Sequence, residues 1–287
     1  MSKKTKLYYQ KTPVKVQINE KVYTHTENLL SSMLETDMTY QRPVDLKRVH
    51  RINKHFNPGL VNTLKVSHRN GHYYVFDGSH TLALLKLRHG EGVVFEVQCV
   101  IFENLTYEEE ALLFAEQTGE SKDVDFLYKL RAMAVGKNQE VLDFIKHTEN
   151  AGFKLGLNGK GAGTILALRK AKQVFDKYGA EIYEGTLSLI REAWDTSQEH
   201  IQANMLGGMA VFYAAFVSEL DHSRFVKKLA KAQVDDIRSE AKRRKNKRQS
   251  LDGAFAQEIA EMYNSGKGKG SLNLVKISSL GFEGYDE

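Results

Sequence analysis

The chain has little cysteine and no long apolar run. One cysteine, Cys99, stands in 287 residues, which excludes an intrachain disulfide and any multi-cysteine zinc site. A reducing cytoplasm is the simplest compartment for such usage. Cys99 lies in the apolar stretch 97–102, where a small buried core residue is expected. No apolar run approaches the ~20 residues that a membrane span needs, so no membrane partner is expected. The basic start Met1-Ser2-Lys3-Lys4 leads into no apolar segment, so no signal peptide is expected either. Internal repeats are also missing.

The remaining composition is that of a globular protein, with 41% hydrophobic and 27% charged residues. The length suggests about two domains. Net charge is +5 but unevenly spread. Residues 223–276 hold 14 Lys/Arg and 6 Asp/Glu, or 14 − 6 = +8, which leaves 5 − 8 = −3 for the rest. A basic segment on a slightly acidic body points to a polyanionic partner, with DNA the first candidate.

The first part of the chain reads as mixed α and β. Residues 13–23 alternate apolar and polar, as a half-buried strand or hairpin does, and 27–34 reads as a short helix. Tyr40-Gln41-Arg42-Pro43 is an extended segment, because the residue before proline is pushed out of the α region. Asp45 can cap the next helix, whose apolar face is Leu46, Val49, Ile52 and Phe56, with Asn57-Pro58-Gly59 as its stop. Strands over 63–67 and 73–76 flank the hairpin turn Arg69-Asn70-Gly71. A strand over 93–102 is followed by the capping box Thr106-Tyr107-Glu108-Glu109 and its helix, with Gly119 as the C-cap.

After about residue 122 helical periodicity takes over. Helices are expected over 124–135, 138–150, 163–178, 180–195, 199–219, 221–231, 232–248 and 252–264, with a terminal strand over 272–277. The division is therefore 1–122 and 123–287. The glycine-rich break at 153–164 lacks Walker A spacing and reads as a β-like turn. Ile201, Met205, Met209, Phe212 and Phe216 form a helical core stripe.

The stretch Val75-Phe76-Asp77-Gly78-Ser79-His80-Thr81-Leu82 organises the first domain. It reads as a strand end, a tight turn at Gly78 and the start of an apolar helix. Asp77, Ser79 or Thr81 can cap that helix, and Gly90 closes it. A helix N-terminus is a natural seat for phosphate or carboxylate. His80 beside it can orient a phosphate or move a proton. A plain capped junction is the competing account. Six of the ten histidines lie between residues 50 and 89, but their spacing fits no zinc signature. The run Lys242-Arg243-Arg244-Lys245-Asn246-Lys247-Arg248 puts six positive charges in seven residues. It suits contact with a phosphate backbone, against the alternative of a solvated helix end.

The order Tyr-Gln-Arg-Pro, helix, hairpin, Asp-Gly-Ser-His, then helix, strand and helix resembles the ParB/sulfiredoxin superfamily over about residues 35–135. It looks closest to the ParB-like nuclease domain proteins of phages and integrative elements. The resemblance implies an α+β domain with a small mixed sheet, followed by a mostly α-helical domain. It implies nucleotide binding by Arg42, Gly78, Ser79, His80, Thr81 and Gln117, with a nucleoside triphosphate and Mg²⁺ as cofactors. His80, Asp77 and Glu116 stand as catalytic candidates, Glu116 also as a metal ligand. Lys242, Arg243, Arg244, Lys245, Lys247 and Arg248 stand as DNA contacts. Ser79 replaces the sulfiredoxin cysteine, which excludes sulfinic-acid repair. Thr81 and Glu120 stand where the family carries arginines, so binding is expected ahead of chemistry.

Three readings follow from the sequence. The chain is a DNA-associated, nucleotide-binding protein of a mobile element; or a metal-dependent nuclease or nucleotide phosphohydrolase; or a degenerate domain used for protein–protein contact. A homodimer is compatible with each.

Overall fold

A computed structural model describes residues 21–116, 125–246, 249–265 and 270–280. The chain forms two compact units, Met1–Asn138 and Gln139–Glu287.

The first unit is built on a five-stranded mixed sheet. Its elements are β1 (Tyr23–Leu30), β2 (Leu34–Glu35), α1 (Leu46–Lys54), β3 (Leu64–Arg69), β4 (His72–Asp77), α2 (Ser79–His89), β5 (Glu96–Glu103), α3 (Tyr107–Ala115) and α4 (Phe126–Val135). The strand order is β1-β5-β3-β4-β2. The β1/β5 and β3/β4 pairs are antiparallel, whereas β5/β3 and β4/β2 are parallel. The β3–β4 hairpin turns through Asn70 and Gly71, both at positive φ (54° and 77°), as a two-residue hairpin turn requires. Leu29, Leu64, Val66, Val75, Val97, Cys99 and Ile101 fill one face of the sheet, and Leu82 of α2 packs into them. Burial pushes the Cys99 thiol up to about 11, so it behaves as a small apolar core residue.

Three local expectations change here. Residues 27–34 form no helix; the first half of the segment lies in β1, which pairs over its full length with β5, and Leu34 opens β2. Leu29, Leu30, Met33 and Leu34 carry a helical spacing, but the long-range ladder overrides that local signal. Of the strand or hairpin expected over 13–23, residues 13–20 fall outside the described residues. Asp45 does cap α1, its carboxylate accepting from Arg48 N at 3.1 Å. Of the expected apolar face, however, only Val49 is buried, and Leu46 and Ile52 face solvent. The helix after the Thr106–Glu109 capping box, α3, packs against α4, so α4 belongs with the first unit and not with the helices that follow. A Cβ placed on Gly136 would lie 2.3 Å from Leu112 Cγ, which shows how close the two segments run.

The second unit is helical. It contains α5 (Gln139–Asn150), α6 (Leu168–Tyr178), α7 (Ala180–Trp194), α8 (Ala203–Phe216), α9 (His222–Leu229), α10 (Val234–Arg244), α11 (Leu251–Asn264) and α12 (Val275–Leu280). A two-stranded parallel ribbon, β6 (Lys154–Leu155) and β7 (Thr164–Ile165), flanks the glycine-rich break. Gln198 Nε2 donates to the carbonyls of Gly161 and Thr164 at 2.9 and 3.0 Å, tying that turn down.

Helix α8 is the centre of the unit. Met205, Met209, Phe212 and Phe216 are buried in the expected stripe, and Gly207, Gly208 and Ala210 bury much of the rest of its circumference. The glycines admit α11: a Cβ on Gly208 would stand 2.3 Å from Phe255 Cβ. The terminal strand expected at 272–277 is instead the start of α12 and the coil before it. No helix among the described residues is long and apolar enough to cross a membrane.

Candidate functional site

The strand-to-helix turn at residues 77–81 forms as expected, but its cap does not. Gly78 occupies the N-cap position of α2 at φ 97°, and no side chain caps the helix. Because Ser79 and Thr81 are already inside the first turn, their hydroxyls are misplaced for the capping bond. Asp77 ends β4 with its carboxylate turned to Lys65 at 3.4 Å. The first N–H groups of α2 therefore keep their full donor capacity and positive dipole end.

His80 joins two helices. Its Nε2 accepts a hydrogen bond from Asp45 N at 3.1 Å, linking the start of α2 to the N-cap of α1. An accepting Nε2 is unprotonated, so the ring is held neutral with its proton on Nδ1. Burial, together with Arg42 and Arg48, pushes the imidazole below its ordinary range, against a smaller pull from Asp45. With Nε2 committed, only Nδ1 remains for a ligand, and the residue acts first as a positioning group.

Arg42 and Arg48 make the site cationic. Both are partly buried. Neither makes an ion pair or side-chain hydrogen bond among the described residues. Burial lowers the Arg42 pKa, and the nearby Arg48 charge lowers it further, partly offset by Asp125, Tyr128 and Asp45. Asp45 and Asp125 are themselves spent as N-caps of α1 and α4, accepting from Arg48 N and Leu127 N. Two guanidinium groups without an ion-pair partner among the described residues thus lie near His80 at an uncapped helix N-terminus. Such an arrangement suits a phosphate group better than it suits water.

A buried polar network delivers Arg42. Glu110 of α3 has a fully buried side chain; it accepts from the Tyr40 hydroxyl and from Arg69 Nε at 2.7 Å. Arg69 also donates to Asp37 Oδ2 at 3.1 Å and stacks 3.8 Å over the Tyr74 ring. Gln41 Nε2 donates to Val75 O at 2.9 Å. Tyr40 and Gln41 are 0% and 2% exposed, so the residues just before Arg42 are pinned to β4 and α3. Burial and the Glu110 charge raise the Tyr40 pKa, which keeps the phenol a donor.

The sequence reading missed this network. Glu108, Glu109 and Glu110 look like one acidic first turn, yet Glu110 shares the buried face with Ala111 and Phe114. A carboxylate on the apolar stripe was the available signal.

Asp77 ends β4 and His80 lies in the first turn of α2. Glu116 ends α3 as its C-cap residue. Among the described residues no three His, Cys, Asp or Glu side chains are grouped as a metal ion requires. Gln117 and Glu120 lie outside the described residues.

The basic run divides into three parts. Arg243 pairs with Glu240 on its own helix, and Arg244 pairs with Glu240, Glu258 and Glu261. Burial raises the Glu258 pKa, and the Arg244 charge opposes that, so Arg244 serves the α10–α11 packing. Lys242 and Lys245 are exposed and make no ion pair among the described residues, whereas Lys247 and Arg248 lie outside them.

No curated protein matches the chain, and no solved structure does. A family model matches residues 17–276, nearly the whole length of both units. The chain belongs to that family, described as a family of unknown function (DUF6551).

Proposed function

We propose that the first unit binds a phosphate-bearing ligand, a nucleotide, at the N-terminus of α2. One observation carries the reading: Arg42 and Arg48, partly buried and without an ion-pair partner among the described residues, lie near His80 at a helix start that no side chain caps. Ligand phosphate accepts from the N–H groups of residues 79–81, Arg42 and Arg48 hold its charge, and His80 fixes the turn against α1. Arg42 takes the part that Thr81, in place of the arginine of the ParB-like pattern, leaves open. The same resemblance supports a nucleoside triphosphate as the ligand.

A melting-temperature screen tests the proposal. Nucleoside triphosphates and inorganic triphosphate should raise the midpoint of the wild type, because a ligand at 100 times its Kd adds about 2.7 kcal/mol to the native state. Arg42→Ala and Arg48→Ala should lose that rise. A rise that persists in both variants would place the ligand elsewhere.

DNA contact through the second unit is a second reading, favoured by the exposed Lys242 and Lys245 on a segment of net charge +8. That reading agrees with the resemblance to the ParB-like proteins of phages and mobile elements. Nuclease or phosphohydrolase chemistry at Asp77, His80 and Glu116 is the alternative; among the described residues no three His, Cys, Asp or Glu side chains group as a metal ion requires.

A further inference from the structure

The two edges of the sheet are unlike. The β2 edge is two residues long, whereas the β1 edge runs for eight. Natural edge strands are blunted by shortness, proline, lysine or a bulge, because an open row of N–H and C=O groups templates further pairing. None of these devices is present in β1. Its sequence, YTHTENLL, has no Pro, Lys or Arg, and its register with β5 is continuous from Tyr23↔Glu103 to Leu30↔Glu96. Residues 23–28 are all exposed, and among the described residues the backbone of β1 pairs with β5 alone.

The side chains of this edge complement themselves. Alternation puts Tyr23, His25, Glu27 and Leu29 on one face and Thr24, Thr26, Asn28 and Leu30 on the other. The contacts agree: the Tyr23 and His25 rings stack at 6.3 Å, and His25 Nε2 lies 3.4 Å from Glu27 Oε2. We infer that β1 is a dimerisation edge, on which a second copy of this chain adds its own β1 antiparallel about a two-fold axis through Thr26.

The register follows from symmetry and charge. A two-fold axis normal to the sheet keeps like faces together, so one-residue slips are excluded. With Thr26 opposite its symmetry mate, His25 faces Glu27 of the second copy and Glu27 faces His25. Thr24 then meets Asn28, and Tyr23 meets Leu29. Centring the axis one residue either way sets Glu27 against Glu27 or His25 against His25. Glu27 directly across from Glu27 repels, whereas a His25 ring across from Glu27 can donate a hydrogen bond to its carboxylate.

An apolar shoulder extends the edge. Ser31 N donates to Phe95 O at 2.8 Å, and Phe95 N donates to Ser31 Oγ at 3.2 Å. This brings the exposed Leu30 and Met33 beside the exposed Val93 and Val94.

Light scattering coupled to size exclusion tests the assignment across a dilution series of the full chain. The wild type should approach twice 32.6 kDa as concentration rises. His25→Glu, an exposed change that sets carboxylates opposite one another, should shift the mass to that of the monomer. The charge swap His25→Glu with Glu27→Arg should restore the dimer, which separates interface loss from misfolding. A wild type that stays monomeric at every concentration overturns the inference. So does a dimer that survives His25→Glu, since its interface lies elsewhere. The result is independent of the anion site, because no residue of β1 belongs to it.

Discussion

Replacing Glu110 by alanine should destabilise the first unit more than any other single polar change in it. The Glu110 side chain is fully buried, and its two oxygens serve the Tyr40 hydroxyl and Arg69 Nε. Breaking a buried ion pair by removing one partner costs about 3–5 kcal/mol, because the remaining charge is left uncompensated. Arg69 keeps Asp37 at 3.1 Å and the Tyr74 ring at 3.8 Å, which favours the lower end of that range. The Tyr40 donor then stands buried without an acceptor, a further cost of about 1–3 kcal/mol that does not add fully.

A net loss of about 3–4 kcal/mol is expected, or roughly 10 °C in the transition that reports this unit. Glu110→Gln keeps the shape and part of the hydrogen bonding, so it should fall between the wild type and alanine. Thermal unfolding followed by tyrosine signals measures all three. The second consequence is functional: the segment holding Arg42 loosens, so phosphate binding weakens even under conditions where the variant is folded. A midpoint within about 1 °C of the wild type for Glu110→Ala would refute the view that this network pins the segment.

Other outcomes follow from the same structure. Gly208→Ala should cost about 1–3 kcal/mol in the second unit, because the added Cβ meets Phe255 Cβ at 2.3 Å and α11 must move; thermal unfolding reads it directly. His200 is buried against the Trp194 ring at 4.7 Å, and neither ring nitrogen has a hydrogen-bond partner among the described residues, so His200→Phe should stabilise the second unit in the same assay. Burial lowers the pKa of both His80 and His200. The unfolded chain therefore protonates first as pH falls through the ordinary imidazole range near ~6.5, stability drops from there, and the loss levels off below the folded pKa. Urea midpoints at a series of pH values should show that fall, less steeply in His200→Phe. If Lys242 and Lys245 each neutralise a DNA phosphate, replacing both by alanine should reduce the salt slope of DNA binding by about 2; an unchanged slope removes them from the interface.

The fold and the site were legible in the sequence to different degrees. Hairpin, capping box and helix stops were readable where a local rule had one physical solution: Asn70-Gly71 at positive φ, Thr106 with Glu109, Gly90 after α2. β1 was not, because Leu29 to Leu34 carry a helical spacing and the strand is made by its partner β5, which is distant in sequence. The site was partly readable. Arg42, Gly78 and His80 could be placed together from motif order, but the cap on α2 could not, since three capping side chains surround a glycine that takes the position itself. The state of His80 is set by Asp45 N, a backbone donor from another helix, and no local pattern encodes such a contact. Charge counts also ignore neighbours: within the basic run, Glu258 and Glu261 arrive from α11 to occupy Arg244.

The central claim is that Arg42 and Arg48 serve a ligand phosphate and not the fold. Arg42→Met keeps the apolar stem and removes one of two mutually repelling charges. Melting the wild type and this variant, each with and without a nucleoside triphosphate, separates the two roles. The account predicts an apo midpoint for Arg42→Met at or above the wild type, together with loss of the ligand-induced rise. A lower apo midpoint with the rise intact would contradict it, and would make Arg42 a structural residue.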